Sequence, residues 1–79
     1  MDSRLYLLND DIHTFEEVIY ILRKYFGYPI LQGASIADIV HQKGKCQIKT
    51  GPLEELELYK EGLIKDGFNV KIEKDYEGY

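Results

Sequence analysis

Leu7-Leu8-Asn9-Asp10-Asp11-Ile12-His13-Thr14-Phe15-Glu16-Glu17-Val18-Ile19 decides how this chain folds. Its first residues end an apolar strand and its last residues begin an amphipathic helix. Residues 4–8 are short, apolar and β-prone, the profile of a buried strand. Asn9-Asp10-Asp11 breaks that strand, because Asn and Asp side chains bond nearby backbone and favour turns. Thr14 and Glu17 have the spacing of a capping box, in which each side chain takes one orphan backbone N–H. Phe15, Val18, Ile19, Leu22 and Phe26 then recur at helical spacing. Gly27 supplies the stop, since glycine enters the left-handed cap without a Cβ penalty.

The rest of the chain follows outward from this start. Pro29 suits the first turn of a second helix, with Ile30, Ile36, Ala37 and Val40 on one buried side. Gly33 inside it costs about 1 kcal/mol relative to alanine and marks a position of close approach. His41 falls in the last turn and Gly44 ends the helix. Residues 45–50 alternate as a half-buried strand, with Cys46 and Ile48 on one side and Lys45, Gln47 and Lys49 on the other. Gly51-Pro52 turns into a third helix with Leu53, Leu56, Tyr59 and Leu63 as its inner stripe and Gly67 as its end. Phe68, Val70 and Ile72 alternate with Asn69, Lys71 and Glu73 as a last strand, followed by a polar tail over 75–79 that is expected to fray. The order is β-α-α-β-α-β. The economical packing is an α+β sandwich, a three-stranded antiparallel sheet with the helices on one face.

The chain has 79 residues, enough for one small domain, with an ordered core expected over about 4–74. A net charge of -4 without a basic stripe gives nucleic-acid binding no electrostatic support. There is no secretory leader pattern and no apolar run long enough for a membrane span, so neither membrane nor export is expected and a cytoplasmic setting follows by default. The lone Cys46 excludes an internal disulfide, and its position reads as a buried strand residue. No glycine-rich phosphate loop, nucleophile elbow or metal-ligand spacing is present, so neither catalysis nor a cofactor or metal is expected.

Two polar groups stand out against this apolar frame: the Asn9-Asp10-Asp11 break and His41 at a helix end. Amide oxygen, carboxylate and neutral imidazole are acceptors suited to an ammonium, which has three donors and one positive charge. Phe15, Val18, Ala37 and Val40 lie beside them in sequence and offer an apolar hollow, with small Ala37 leaving room. The pattern therefore admits a pocket for the free amino end of another protein. It equally admits turn chemistry at Asn9-Asp10-Asp11 and helix-end electrostatics at His41, because periodicity does not bring the two together. A small hydrolytic or metal site at Asp10, Asp11, His13 and His41 is the weakest alternative.

At these residues the chain resembles the ClpS family, bacterial adaptors that recognise N-degrons for the Clp protease. The resemblance runs from Leu8-Asn9-Asp10-Asp11 through the first helix and Val40-His41-Gln42-Lys43-Gly44-Lys45 to the last strand. It implies a non-enzymatic domain that binds the α-amino group and bulky hydrophobic first side chain of a substrate and delivers it to a ClpA-type AAA+ unfoldase. By position, Asn9, Asp11 and His41 match the ammonium-binding residues, and Asp10 matches the middle acidic position, less directly involved. Phe15 stands at a methionine gate, Val18, Ala37 and Val40 at pocket positions, and Phe68 at an apolar wall residue of the last strand.

The departures from the family pattern imply changes. His13 replaces the usual threonine, from which a hydrogen bond on the ammonium side is expected in the family, and Thr14 replaces the usual proline. Phe15 is stiffer than methionine and Ala37 smaller than usual, which implies a reshaped pocket and a different preferred first residue. Only Met1–Ser3 precede the first strand, where members of the family usually carry a flexible extension used in delivery. Poor delivery, or use of another partner, follows as an expectation, as does the alternative of a protein-interaction module on the same fold that has lost or altered N-terminal recognition.

Overall fold

The computed structural model describes residues 2–10 and 12–74. The expected fraying of the 75–79 tail therefore lies outside the described residues, as does everything expected of Asp11. The elements are Ser3–Leu8 (β1), Phe15–Phe26 (α1), Ile30–Lys43 (α2), Lys45–Gly51 (β2), Leu53–Lys65 (α3) and Val70–Lys74 (β3). The strands form one antiparallel sheet in the order β2-β1-β3, so the first strand of the chain is central. This is the β-α-α-β-α-β arrangement with a three-stranded antiparallel sheet expected from the hydrophobic pattern.

Alternation along β1 buries Leu5 and Leu7 beneath the helices. There they meet Ile48 of β2, Val70 of β3, Ile21 and Leu22 of α1, Ile36 and Val40 of α2, and Leu56 and Leu63 of α3. Leu5, Leu22, Leu56 and Leu63 are wholly shielded, and each such side chain contributes roughly 1.5–3 kcal/mol of burial. The opposite face of the sheet is polar: Lys45 Nζ lies 4.7 Å from the Tyr6 ring centroid and 3.1 Å from Glu73, which Lys71 also approaches to 3.0 Å.

The helix ends carry the expected signals. Thr14 and Glu17 form the complete capping box, with bonds of 2.8 and 3.1 Å. Gly27 and Gly44 both adopt left-handed caps, at φ 71° and 89°. Gly33 is a close approach between helices: a Cβ there would lie 3.3 Å from the Ile19 Cα. The inner face of α1 also includes Ile21, which the simple stripe leaves out; Ile19 instead faces α2.

Three expectations need correction. Ile30 is not on the buried side of α2; its side chain is exposed in the first turn, before the helix reaches the core. Lys49 does not share the outer face with Lys45 and Gln47. A bulge at Ile48 puts Leu5 opposite Lys49 but Tyr6 opposite Gln47, reversing the side-chain phase. The Lys49 ammonium is thereby brought to 5.9 Å from the Phe26 ring on α1, and the Tyr28 hydroxyl donates to the Ile48 carbonyl at 2.6 Å. Phe68 is not a strand residue. Its N–H bonds the Leu63 carbonyl and the Gly67 N–H bonds the Ile64 carbonyl, each at 2.9 Å, with Gly67 at φ 88°. This pair of bonds is the Schellman closure of α3, which folds the residue after the glycine back toward the helix. Phe68 is thus buried by a helix cap rather than by sheet alternation.

Candidate functional site

Antiparallel pairing of β1 with β2 sets the end of β1 beside the start of β2, and therefore beside the end of α2. The Asn9 N–H extends the ladder by one rung, donating to the Gly44 carbonyl at 2.9 Å. On the other side, the Leu8 N–H donates to the Asn69 carbonyl at 2.9 Å, next to Phe68. The loop after β1 is thus pinned between the C-terminus of α2 and the turn that follows α3. Sequence periodicity held no sign of this meeting, because it arises from strand pairing.

A cleft of about 280 Å³ opens at this junction, at the small end of ordinary ligand pockets, about 300–1,000 Å³. Asn9, Asp10 and His41 lie at its polar side. Phe15, Val18, Ala37, Val40 and Phe68 supply apolar lining from both ends of the chain. Asp11 lies outside the described residues. Ala37, Val40 and Phe68 are buried, whereas Phe15 is 44% exposed. Leu7, Leu8 and Thr14 also line the cleft. They were missed, although Leu7 and Leu8 directly precede Asn9 in the strand that ends there.

Within the loop, the Asp10 side chain braces Ile12 and His13. Asp10 Oδ1 accepts the backbone N–H groups of Ile12 and His13, both at 2.9 Å. Its Oδ2 lies 2.8 Å from His13 Nδ1, and both side chains are largely buried. Burial alone would raise the Asp10 carboxyl, but the hydrogen bonds from the His13 backbone, the His13 ring and the Ile12 backbone outweigh it and hold the group below its ordinary value of 3.8. The carboxylate of Asp10 is therefore directed at its own loop. The His13 ring stacks on Phe68, with centroids 3.8 Å apart and planes 16° apart. His13 is thus a wall residue joined to Asp10 and stacked on Phe68.

The Cys46 Sγ lies 3.4 Å from the Gln47 carbonyl oxygen, and burial pushes its thiol above the ordinary 9.0, away from a reactive thiolate. Among the described residues no group of three or more His, Cys, Asp and Glu side chains is arranged to hold a metal ion. No helix among them is long and apolar enough to cross a membrane.

With this geometry in hand, the likeness to known proteins becomes specific. The sequence profile of the family described as "ATP-dependent Clp protease adaptor protein ClpS" matches residues 2–71. The chain belongs to the ClpS family. It is 34% identical over 68 residues to the ATP-dependent Clp protease adapter protein ClpS of Thermosynechococcus vestitus, a match spanning 85% of this chain and 72% of that protein. The corresponding ClpS of Nostoc sp. is 34% identical over 70 residues, spanning 85% of this chain and 70% of that one. The solved structure of Agrobacterium tumefaciens ClpS2 bound to L-phenylalaninamide has a TM-score of 0.81 and covers 94% of this chain and 96% of its own, at 18% identity. That likeness shows a shared fold. ClpS proteins are adaptors without catalytic activity, and this ClpS-family chain is an adaptor rather than an enzyme.

Proposed function

We propose that the cleft receives the first residue of a substrate protein, binding its free α-amino group at the polar side and its hydrophobic side chain in the apolar hollow. One observation carries this reading: His41 and Asn9, far apart in sequence, line a single small cleft together with the apolar side chains of Phe15, Val18, Ala37, Val40 and Phe68. In this reading Asn9, Asp11 and His41 accept the three ammonium hydrogens. Asp10 acts less directly, by holding the loop through its bonds to Ile12 and His13. The C-terminus of α2, where His41 sits, adds the negative end of a helix dipole, which favours a cation. Burying one bulky side chain among Phe15, Val18, Ala37, Val40 and Phe68 contributes roughly 1.5–3 kcal/mol. The cleft volume is enough to take one bulky side chain. The ClpS2 relative solved with L-phenylalaninamide, a free amine next to a bulky apolar side chain, supports the same chemistry here.

The chain then acts in the cytoplasm as a single adaptor domain, handing substrates with bulky hydrophobic first residues to a ClpA-type AAA+ unfoldase of the Clp protease. The test is fluorescence anisotropy with peptides that begin with Leu, Phe, Tyr, Trp, Met or Ala, each with a free or acetylated amine. Saturable binding to a hydrophobic subset, lost on acetylation and weakened more by Asp11→Ala than by Glu57→Ala, is the expected result. Binding that ignores acetylation would replace this reading with that of a general protein-interaction module.

A further inference from the structure

We infer that His13 sets the size limit of the first-residue pocket, acting as a removable wall between the cleft described above and a second one behind it. This inference rests on the reading of the cleft as a first-residue pocket. The second cleft has about 210 Å³ and is bounded by Glu17, Tyr20 and Lys24 of α1 and by Asp66 at the end of α3. His13 and Phe68 line both clefts, so the stacked pair of rings is the partition.

The partition is held from several directions. Asp10 Oδ2 lies 2.8 Å from one ring nitrogen of His13. The Phe68 ring lies under its face at 3.8 Å. Its opposite edge abuts the turn at Gly67, where a Cβ would stand 3.7 Å from His13 Cε1 and Nε2. A ring confined this way cannot swing aside without breaking its bond to Asp10 or its stack on Phe68. Phe68 in turn is fixed through its backbone by the α3 closure. Of the two rings, Phe68 belongs to the buried core and His13 does not, so His13 is the one whose truncation removes wall and leaves the core side chains in place; it stands on the loop outside every helix and strand. Shortening it joins the two clefts. A side chain of Leu or Phe size ends at the wall in the present pocket, and the bicyclic indole of Trp is the one that gains most when the wall is taken away.

The experiment compares anisotropy titrations of free-amine peptides beginning with Leu, Phe or Trp against the unaltered chain and against His13→Ala, His13→Thr and His13→Phe, with circular dichroism on each variant. The unaltered chain is expected to favour Leu or Phe over Trp by about tenfold or more. His13→Ala and His13→Thr should bring Trp to parity or above, whereas His13→Phe, which keeps a ring against Phe68, should preserve the original order. A uniform loss for all three peptides in His13→Ala and His13→Thr would make His13 a purely structural residue and overturn the inference, as would unaltered protein that already binds Trp as tightly as Phe. Should His13→Ala fail to fold, His13→Thr, whose hydroxyl is kept near Asp10, decides by the same ranking. No binding of any free-amine peptide to the unaltered chain overturns the pocket reading itself, an outcome distinct from an unchanged ranking.

Discussion

Helix α1 carries a phenylalanine at each end, and the two have opposite surroundings. Phe26 is packed among aromatic rings: Tyr59 at 4.8 Å edge-on, Tyr28 at 5.2 Å stacked and Tyr25 at 6.3 Å tilted. Phe15 stands 44% exposed over a cleft whose floor includes Ala37, Val40 and Val18. The same helix and sheet therefore close at one end and stay open at the other. At the closed end large rings occupy the space between layers; at the open end small and β-branched side chains leave it unfilled. A small domain has little stability to spare for an unfilled hollow, so a cleft retained next to Asn9 and His41 argues for an occupant.

Truncation separates the two ends most strongly. Phe26→Ala is expected to cost about 2–3 kcal/mol, toward the low end for a phenylalanine that is only half-buried. Phe15→Ala is expected to stay within about 1 kcal/mol. Urea unfolding of the two variants checks this, and equal losses would erase the contrast between a structural end and a functional one. Filling the open end comes next. Ala37→Met should cost less than about 1.5 kcal/mol of stability, because its added chain enters the cleft and not the core. It should weaken binding of a peptide beginning with Phe by about 10- to 100-fold, the value of one displaced side chain, as read by anisotropy.

The smallest effect concerns the loop. Because the folded state holds the Asp10 carboxyl below 3.8, its contribution to stability is complete above that pH and is lost as pH falls through the lower folded value. Asp10→Asn should therefore be less stable than the unaltered chain by about 1 kcal/mol at neutral pH. The gap should close in acid, well below pH 3.8. Thermal melts across pH measure it, and a gap independent of pH would mean that the charge of Asp10 plays no part.

Much of the fold was legible because its signals are local. Thr14 with Glu17, Gly27 and Gly44 mark helix ends through bonds within a few residues, and Leu5 with Leu7 declare a buried strand face by alternation alone. Legibility ended where pairing between distant segments decides. The Ile48 bulge that turns Lys49 toward Phe26 is a property of the β1–β2 register and leaves no mark on the alternation of β2 itself. Phe68 looked like a strand residue because Phe68, Val70 and Ile72 alternate, but the Schellman closure at Gly67 claims it first. The candidate site was half legible. Its residue types pointed to ammonium chemistry, but their meeting depends on the Asn9–Gly44 rung. The stack of His13 on Phe68 needed the structure, since nothing in the sequence links the two.

The most direct test of the account is an NMR titration of the chain with L-phenylalaninamide and, separately, with its N-acetylated form. The account predicts saturable shifts from the free amine at the backbone amides of Asn9, His41, Gly44 and Phe68, little change at Phe26, Tyr28 and Tyr59, and no saturable shift from the acetylated compound. Equal responses to both compounds, or shifts centred on the closed end of α1, would contradict it.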